Sequence, residues 1–381
     1  MSQRLFFPLD QNFTCTSCGK CCNAHWRVGV TPEQKEIIES TAAFSALEKE
    51  GFQPLVVRDG NFELNRDSSG HFHFHQNDLC AIHAEAGPQA KPAACNLYPF
   101  QLVATPDGYF VSLSFSCPAV IAGVGEDSSK HREDLQQTVV SAPHFFPPQQ
   151  PTSADITISE GFQIPWTSYL IWETDLIDSL RYATTPVEAL FDGVSRLTEA
   201  VILNQEPVFR QTHTSLSSLL KKNLMELAPF FTVITLSNIE EYSDLGRRKE
   251  LVAQLTAGST FHSRLLNTQT PKFRPHRPFD LLTTSIIQRF VTAQIWGKRL
   301  ITGPTFLSRL LFLAISLEVF RFYLETYKLM TDEKHYSQSA VEWCFDFMEN
   351  ELLHHHDILF PAFLEWERDL LEFGRHFHNQ E

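Results

Sequence analysis

Four cysteines fall within eight positions near the start of the chain: Cys15, Cys18, Cys21 and Cys22 in "FTCTSCGKCCNAHW". Cys80, Cys95 and Cys117 follow, so seven of the eight cysteines precede residue 118 and point to a metal centre. The equal steps between Cys15, Cys18 and Cys21 let one loop wrap its thiolates around a single centre, with backbone amides facing the sulfurs. The same C-x2-C-x2-C run supplies ligands to bacterial iron–sulfur clusters, whose remote fourth ligand precedes a proline. Here Cys117 precedes Pro118. The C-x3-C-x2-C run usual in radical enzymes that use S-adenosylmethionine is absent. Adjacent Cys21 and Cys22 do not easily face one metal, which leaves one of them for a second site, a redox step or packing.

Ligand arithmetic leaves two arrangements open. One 4Fe-4S cubane takes four thiolates and leaves three over, whereas two four-ligand sites need eight donors, which seven cysteines and one histidine supply. The candidates for that histidine are His25, His71, His73, His75 and His83. Nitrogen donors suit mononuclear zinc or iron as well as sulfur suits a cluster. An uneven cysteine cluster with two adjacent members reads as thiolate ligands in a reducing cytosol rather than as disulfides.

The elements that position these residues make an α+β protein, a small cysteine-rich metal-binding domain followed by a mainly α-helical one. At 381 residues the chain exceeds one domain of about 100–200 residues. The composition divides it into a cysteine domain over 1–125, a linker over 126–157 and a helical domain over 158–381. After the first cysteines, Thr31, Pro32 and Gly51 bracket one helix as cap, first-turn proline and terminator. Alternation in "HFHFH" predicts a strand with His71, His73 and His75 on one face and Phe72 and Phe74 on the other. "AIHAEAG" reads as a helical turn, "CNLYPF" as an extended exit, and "YFVSLSFSC" as a strand delivering Cys117. The linker combines "GEDSSKHRED" with Pro143, Pro147, Pro148 and Pro151. In the helical part, apolar stripes run through Leu282, Ile286, Phe290, Ala293, Trp296 and Leu300, and through Phe306, Leu310, Leu313, Leu317, Phe320 and Leu324. Phe363, Trp366, Leu370 and Phe373 make a third. These stripes are core packing rather than a cofactor box.

Charge and length exclude several function classes. The net charge of −14 opposes a nucleic-acid partner, whose phosphates are bound through Lys and Arg. Residues 1–125 carry eight Lys/Arg against twelve Asp/Glu, so the cysteine domain is no basic clamp. Phe306–Leu324 contains Arg309, Glu318 and Arg321, whereas a bilayer span needs roughly 20 mostly apolar residues, so no membrane role is expected. "MSQRLFFPLDQNF" has no apolar core or cleavage site of a signal peptide, which predicts a cytoplasmic protein.

"CTSCGKCC", "LCAIHAEAGPQAKPAACNLYPF" and "SLSFSCP" resemble the CxxCxxCC family of zinc- or iron-chelating proteins, the YkgJ-type cysteine-cluster family, one branch of which is flagellin lysine N-methylase. The resemblance covers residues 13–121. It extends loosely to the methylase branch through "IPWTSYLIWETDLIDSLRY" and "RFVTAQIWGKRLI". It implies that Cys15, Cys18, Cys21, Cys22, Cys80, Cys95 and Cys117 are the cluster cysteines, with a bound metal and, in the methylase branch, an iron–sulfur cluster. S-adenosylmethionine as a cofactor and a flagellin-like protein substrate are implied by this resemblance alone. Many family members have a further cysteine before the position of Cys80, where this chain reads "HFHFHQNDL". Two function classes follow: a protein-modifying enzyme of the lysine N-methylase kind, or a non-catalytic metal protein with a structural zinc site or an electron-transfer cluster.

The remaining signals have plain readings. Gly123 and Gly125 in "AVIAGVGED" mark a helix or turn end rather than a methyl-donor loop. Glu351 with His354 makes one E-x-x-H step of the kind used by di-iron bundles, but the second step is missing, Asp332 with His335 being the nearest substitute, and the segment reads as a solvated helix end. Lys272, Arg274 and Arg277 belong to a proline-spaced solvated loop, and Cys344 is a buried small hydrophobe.

Overall fold

The computed structural model describes residues 4–22, 26–76, 79–142, 155–181, 183, 185–207, 209, 213–241, 244–353 and 359–380. The chain forms two compact units, one of Met1–Ala104 and Val111–Gln149 and one of Thr105–Phe110 and Gln150–Glu381. The fold class is α+β, with small sheets and a mostly helical second part.

The cysteine-bearing part runs through β1 (Leu5–Phe6), β2 (Gly29–Val30), α1 (Pro32–Glu39), α2 (Ala42–Lys49), β3 (Leu55–Arg58), β4 (Asn61–Leu64), β5 (His75–Gln76), β6 (Leu79–Cys80) and α3 (Ala81–Ala86). It continues through α4 (Ala93–Leu97), β7 (Phe100–Thr105), β8 (Gly108–Leu113), α5 (Pro118–Ala122) and α6 (Arg132–Ser141). Its sheets order as β1-β8-β7, β2-β4-β3 and β5-β6. A core of Val28, Ile38, Phe44, Leu47, Phe72, Phe74 and Ile82 lies against Cys22, Cys80 and Cys95.

Four local expectations change. The helix predicted from Thr31 to Gly51 is two helices, because Ser40 and Thr41 turn their hydroxyls onto the carbonyls of Ile37 and Ile38 and Thr41 then caps α2 through Phe44 N. The Glu85 carboxylate accepts from the freed amides of Ala42 and Ala43. "HFHFH" keeps its alternation, with Phe72 and Phe74 buried, but it turns at Phe72, whose carbonyl accepts from His75 N, so only His75 enters a strand. "CNLYPF" is not extended at its start: Cys95 lies in α4, and the chain leaves it through a cis Tyr98–Pro99 bond. Residues 128–141, charged in sequence, form a short 3-10 turn and α6, with Leu135 and Val139 buried. The prolines from Pro143 to Pro151 lie outside the described residues.

The second unit contains β9 (Ile156–Ser159), β10 (Phe162–Ile164), α7 (Trp166–Arg181), α8 (Pro186–Leu203), α9 (Ser215–Glu241), α10 (Leu245–Thr256), β11 (His262–Ser263) and β12 (Thr268–Gln269). It closes with α11 (Leu281–Trp296), α12 (Phe306–Met330), α13 (Gln338–Phe347) and α14 (Phe360–His378). All six residues of the α12 stripe are buried, and so are Arg309, Glu318 and Arg321. No helix among the described residues is long and apolar enough to cross a membrane. Leu282 at the start of the α11 stripe is exposed, as the helix there has not yet reached the core. Cys344 is fully buried in α13, and burial pushes its thiol well above the ordinary range, which makes it inert packing.

Within "PKFRPHRP", Lys272 and Arg274 face solvent, Arg277 reaches Glu325 at 3.4 Å, and His276 anchors the loop by its Nδ1 at 3.2 Å from the buried Glu318. The contact with Glu318 raises the His276 pKa above its ordinary 6.5. A raised folded-state value means that this stabilisation is complete below about pH 6.5 and is lost as pH rises through the folded value. Urea titrations of the wild type from pH 5.5 to 8.5 should show that decline, and His276→Gln should flatten it. Equal slopes in both proteins would remove His276 as its source.

Candidate metal centre

The cysteine loop is shaped by two left-handed residues, Ser17 at φ 55° and Gly19 at φ 69°, before the short turn Lys20–Cys22. The amide of Ser17 faces Cys15 Sγ at 3.4 Å, and Cys22 N donates to Gly19 O at 2.9 Å. Both ends of the loop are pinned. At its entry, Phe13 N donates to Glu126 O at 2.8 Å and the Phe13 ring packs edge-on against Phe100. At its exit, Arg66 donates to Trp26 O at 2.9 Å while its guanidinium covers the Phe72 ring.

The later cysteines arrive on three different elements. Cys80 ends β6 and caps α3, Cys95 lies within α4, and Cys117 caps α5 beyond the end of β8. All seven nevertheless line one cavity of about 990 Å³, together with His83, Lys91 and His131. Cys15 and Cys18 are exposed, Cys21, Cys22, Cys80 and Cys95 half-buried, and Cys117 buried.

Residues 14–118 match the family model CxxCxxCC, described as a putative zinc- or iron-chelating domain. This segment is a CxxCxxCC domain. No curated protein and no solved structure matched the chain.

The donor set of the CxxCxxCC domain fits zinc or iron: seven soft sulfurs on one cavity wall, in a space at the upper end of the ~300–1,000 Å³ typical of ligand sites. Among the described residues, no group of three or more Cys, His, Asp or Glu converges tightly enough to hold an ion as it stands. The sulfurs line the walls and must close in to share one. Their electrostatics favour that step only when a cation arrives. Burial pushes Cys95 up to about 12 and Cys117 up to about 11, so neither ionises without compensation. Cys21 moves the other way, to about 6, because the Cys22 thiol hydrogen-bonds to it, and Cys22 is raised in turn. The adjacent pair gives up one proton readily and the second with difficulty. Lys91 and Arg66 supply positive charge to the thiolates at Cys95.

Of the candidate histidines, His71 and His75 stay edge to face with ring centroids 6.4 Å apart, and His73 and His83 lie elsewhere. His71 engages Ser69 at 3.2 Å, His73 packs on the Phe52 ring, and His83 is an exposed residue at the cavity. His75 packs against Gly19 of the cysteine loop. His25 and His354 lie outside the described residues, as does the Glu351 side chain.

Sequence reasoning missed Arg66, Lys91 and the task of Gly125. Gly123 is the left-handed cap of α5, as its helix-end reading requires, but Gly125 at φ 103° admits the backbone of Thr14 beside Cys15. A Cβ there would stand 2.4 Å from Thr14 N. No sequence signal marks that approach, because the contact joins positions far apart in the chain. Gly125→Ala should cost more than about 1 kcal/mol and weaken metal retention. Thermal unfolding and metal analysis of that variant check both; an unchanged midpoint would mean that the loop entry tolerates displacement.

Proposed function

We propose that this chain is an iron–sulfur protein whose cysteine domain is the working centre of a protein-modifying enzyme of the lysine N-methylase kind. The observation that carries the reading is the convergence of all seven cysteines on one cavity that keeps Cys15 and Cys18 exposed. Exposed donors favour a centre that substrate or cofactor can reach over a sealed staple. Cys15, Cys18 and Cys21 with Cys117-Pro118 match the ligand pattern of a cubane, and these four residues would hold it. Such a cluster, held by these four thiolates, would supply one-electron chemistry. The chain's own part is to fix the loop through Phe13 and Gly125, to offset thiolate charge with Lys91 and Arg66, and to leave the cavity accessible.

S-adenosylmethionine and a lysine-bearing protein substrate follow from the family resemblance, and the thiols call for the reducing cytosol. Anaerobic purification followed by an absorption spectrum and iron, sulfide and zinc analysis tests the reading. It predicts a broad band near ~400 nm and iron matched by sulfide. Binding of S-adenosylmethionine and methyl transfer to lysine are then the enzymatic test. Colourless, zinc-loaded protein without sulfide would replace this reading with a structural thiolate site. A loaded cluster without methyl-donor binding would leave electron transfer as its function.

A further inference from the structure

We propose that His75 is the non-thiol ligand of a second, mononuclear zinc or iron site completed by Cys22, Cys80 and Cys95. The inference rests on the thiolate-centre reading above and adds to it the partition of the donors.

Four observations converge on position 75. In the β5-β6 ladder, His75 is the direct partner of Cys80. Residues opposite each other in an antiparallel pair project to the same face, with Cβ atoms about 4.5–5.5 Å apart. A short side-chain movement therefore brings the imidazole and the thiolate to one ion. Second, His75 Nε2 is buried and has no hydrogen-bond partner among the described residues. A buried polar nitrogen left unpaired is costly, and a metal ion satisfies it. Third, that nitrogen sits over Gly19, so close that a Cβ on Gly19 would lie 2.4 Å from it. The loop carrying Cys18 and Cys21 thus makes room for the imidazole at its one left-handed glycine. Fourth, Cys22, Cys80 and Cys95 all lie against one patch of core, the one that buries Phe72 and Phe74 on either side of His73. They are three donors lacking a fourth.

The partition resolves the ligand count. Cys15, Cys18, Cys21 and Cys117 serve the accessible centre, and Cys22, Cys80, Cys95 and His75 make a Cys3His set, a standard arrangement for structural zinc. Because Cys21 and Cys22 are consecutive, the two sites then lie side by side. The turn that leads into β5 is tied to the loop by Phe72 N donating to Cys22 O at 3.4 Å, so binding at one element is felt by the other. His83 is the rival nitrogen, but it is exposed on α3 and can be solvated without a metal.

The test uses the full chain, purified anaerobically, with cobalt as the probe of the mononuclear site. The wild type should bind one Co²⁺ with thiolate charge-transfer absorption beside its iron centre. His75→Ala should lose that ion and its spectrum while iron and sulfide stay at wild-type levels. His75→Cys, measured beside it, should keep the ion with an altered spectrum, which separates lost ligation from a lost fold. His83→Ala should match the wild type. Unchanged cobalt binding in His75→Ala, loss in His83→Ala instead, or a wild type with an iron centre and no second ion would each overturn the assignment. A wild type without any metal would sink the thiolate-centre reading itself, and this inference with it.

Discussion

Stripping metal from the purified chain is expected to unfold the cysteine-bearing unit while the helical unit keeps its structure. The local elements are too short to stand alone: β2, β5 and β6 have two residues each, and α4 and α5 have five. What joins them is the cavity wall. Binding energy in such a domain is folding energy, about 10–16 kcal/mol for structural zinc in small domains, as large as a domain's whole net stability of about 5–15 kcal/mol. Hydrogen exchange with and without chelator would read it directly. Amides of Val28, Ile82 and Leu113 should lose protection, whereas those of Leu310, Leu317 and Leu324 should not. Protection kept in the first group would mean that the small core suffices and the ion is a passenger. The same chemistry sets a pH dependence. Cys95 and Cys117 hold their protons up to about 12 and 11, so loading must expel them. Metal affinity should therefore fall as pH falls, with protons released into weakly buffered solution on loading.

What could be read in advance follows from which interactions are local. Residue type and spacing announced the thiolate loop, since ligand chemistry restricts both. Capping is equally local, and Thr31 makes its capping box with Gln34. The division at Ser40 and Thr41 is capped locally by Thr41, but its further support, the Glu85 carboxylate on α3 that accepts from the start of α2, lies outside any local pattern. The histidines show the same limit from another side. Period two assigned Phe72 and Phe74 to the core correctly, yet it put three histidines on one face, whereas the turn keeps His71 and His75 in ring contact and sends His73 to Phe52. In α12 periodicity loses meaning for another reason. That helix is buried nearly all round, so Glu318 and Arg321, which look like a solvated edge, are core residues paired with each other.

The largest mutational effect outside the cysteine domain should come from Lys298, which no motif singles out. It follows α11 in a left-handed conformation, is fully buried, and pairs with buried Glu173 of α7. Its ammonium stands 3.8 Å from the centre of the Phe110 ring and 5.1 Å from that of Trp296. Burial pushes Glu173 up and Lys298 down, and their mutual contact resists both shifts. Two charges removed from water are tolerable only together, because each is the other's compensation. Lys298→Met or Glu173→Leu alone should cost about 3–5 kcal/mol by leaving one buried charge without its partner. The double variant should recover most of that loss, since well-packed apolar pairs replace buried ion pairs at little cost. A double-mutant cycle by urea unfolding, read at constant m, measures the coupling. Additive losses would mean that packing of the two stems, and not the charge pair, holds α7 to the end of α11.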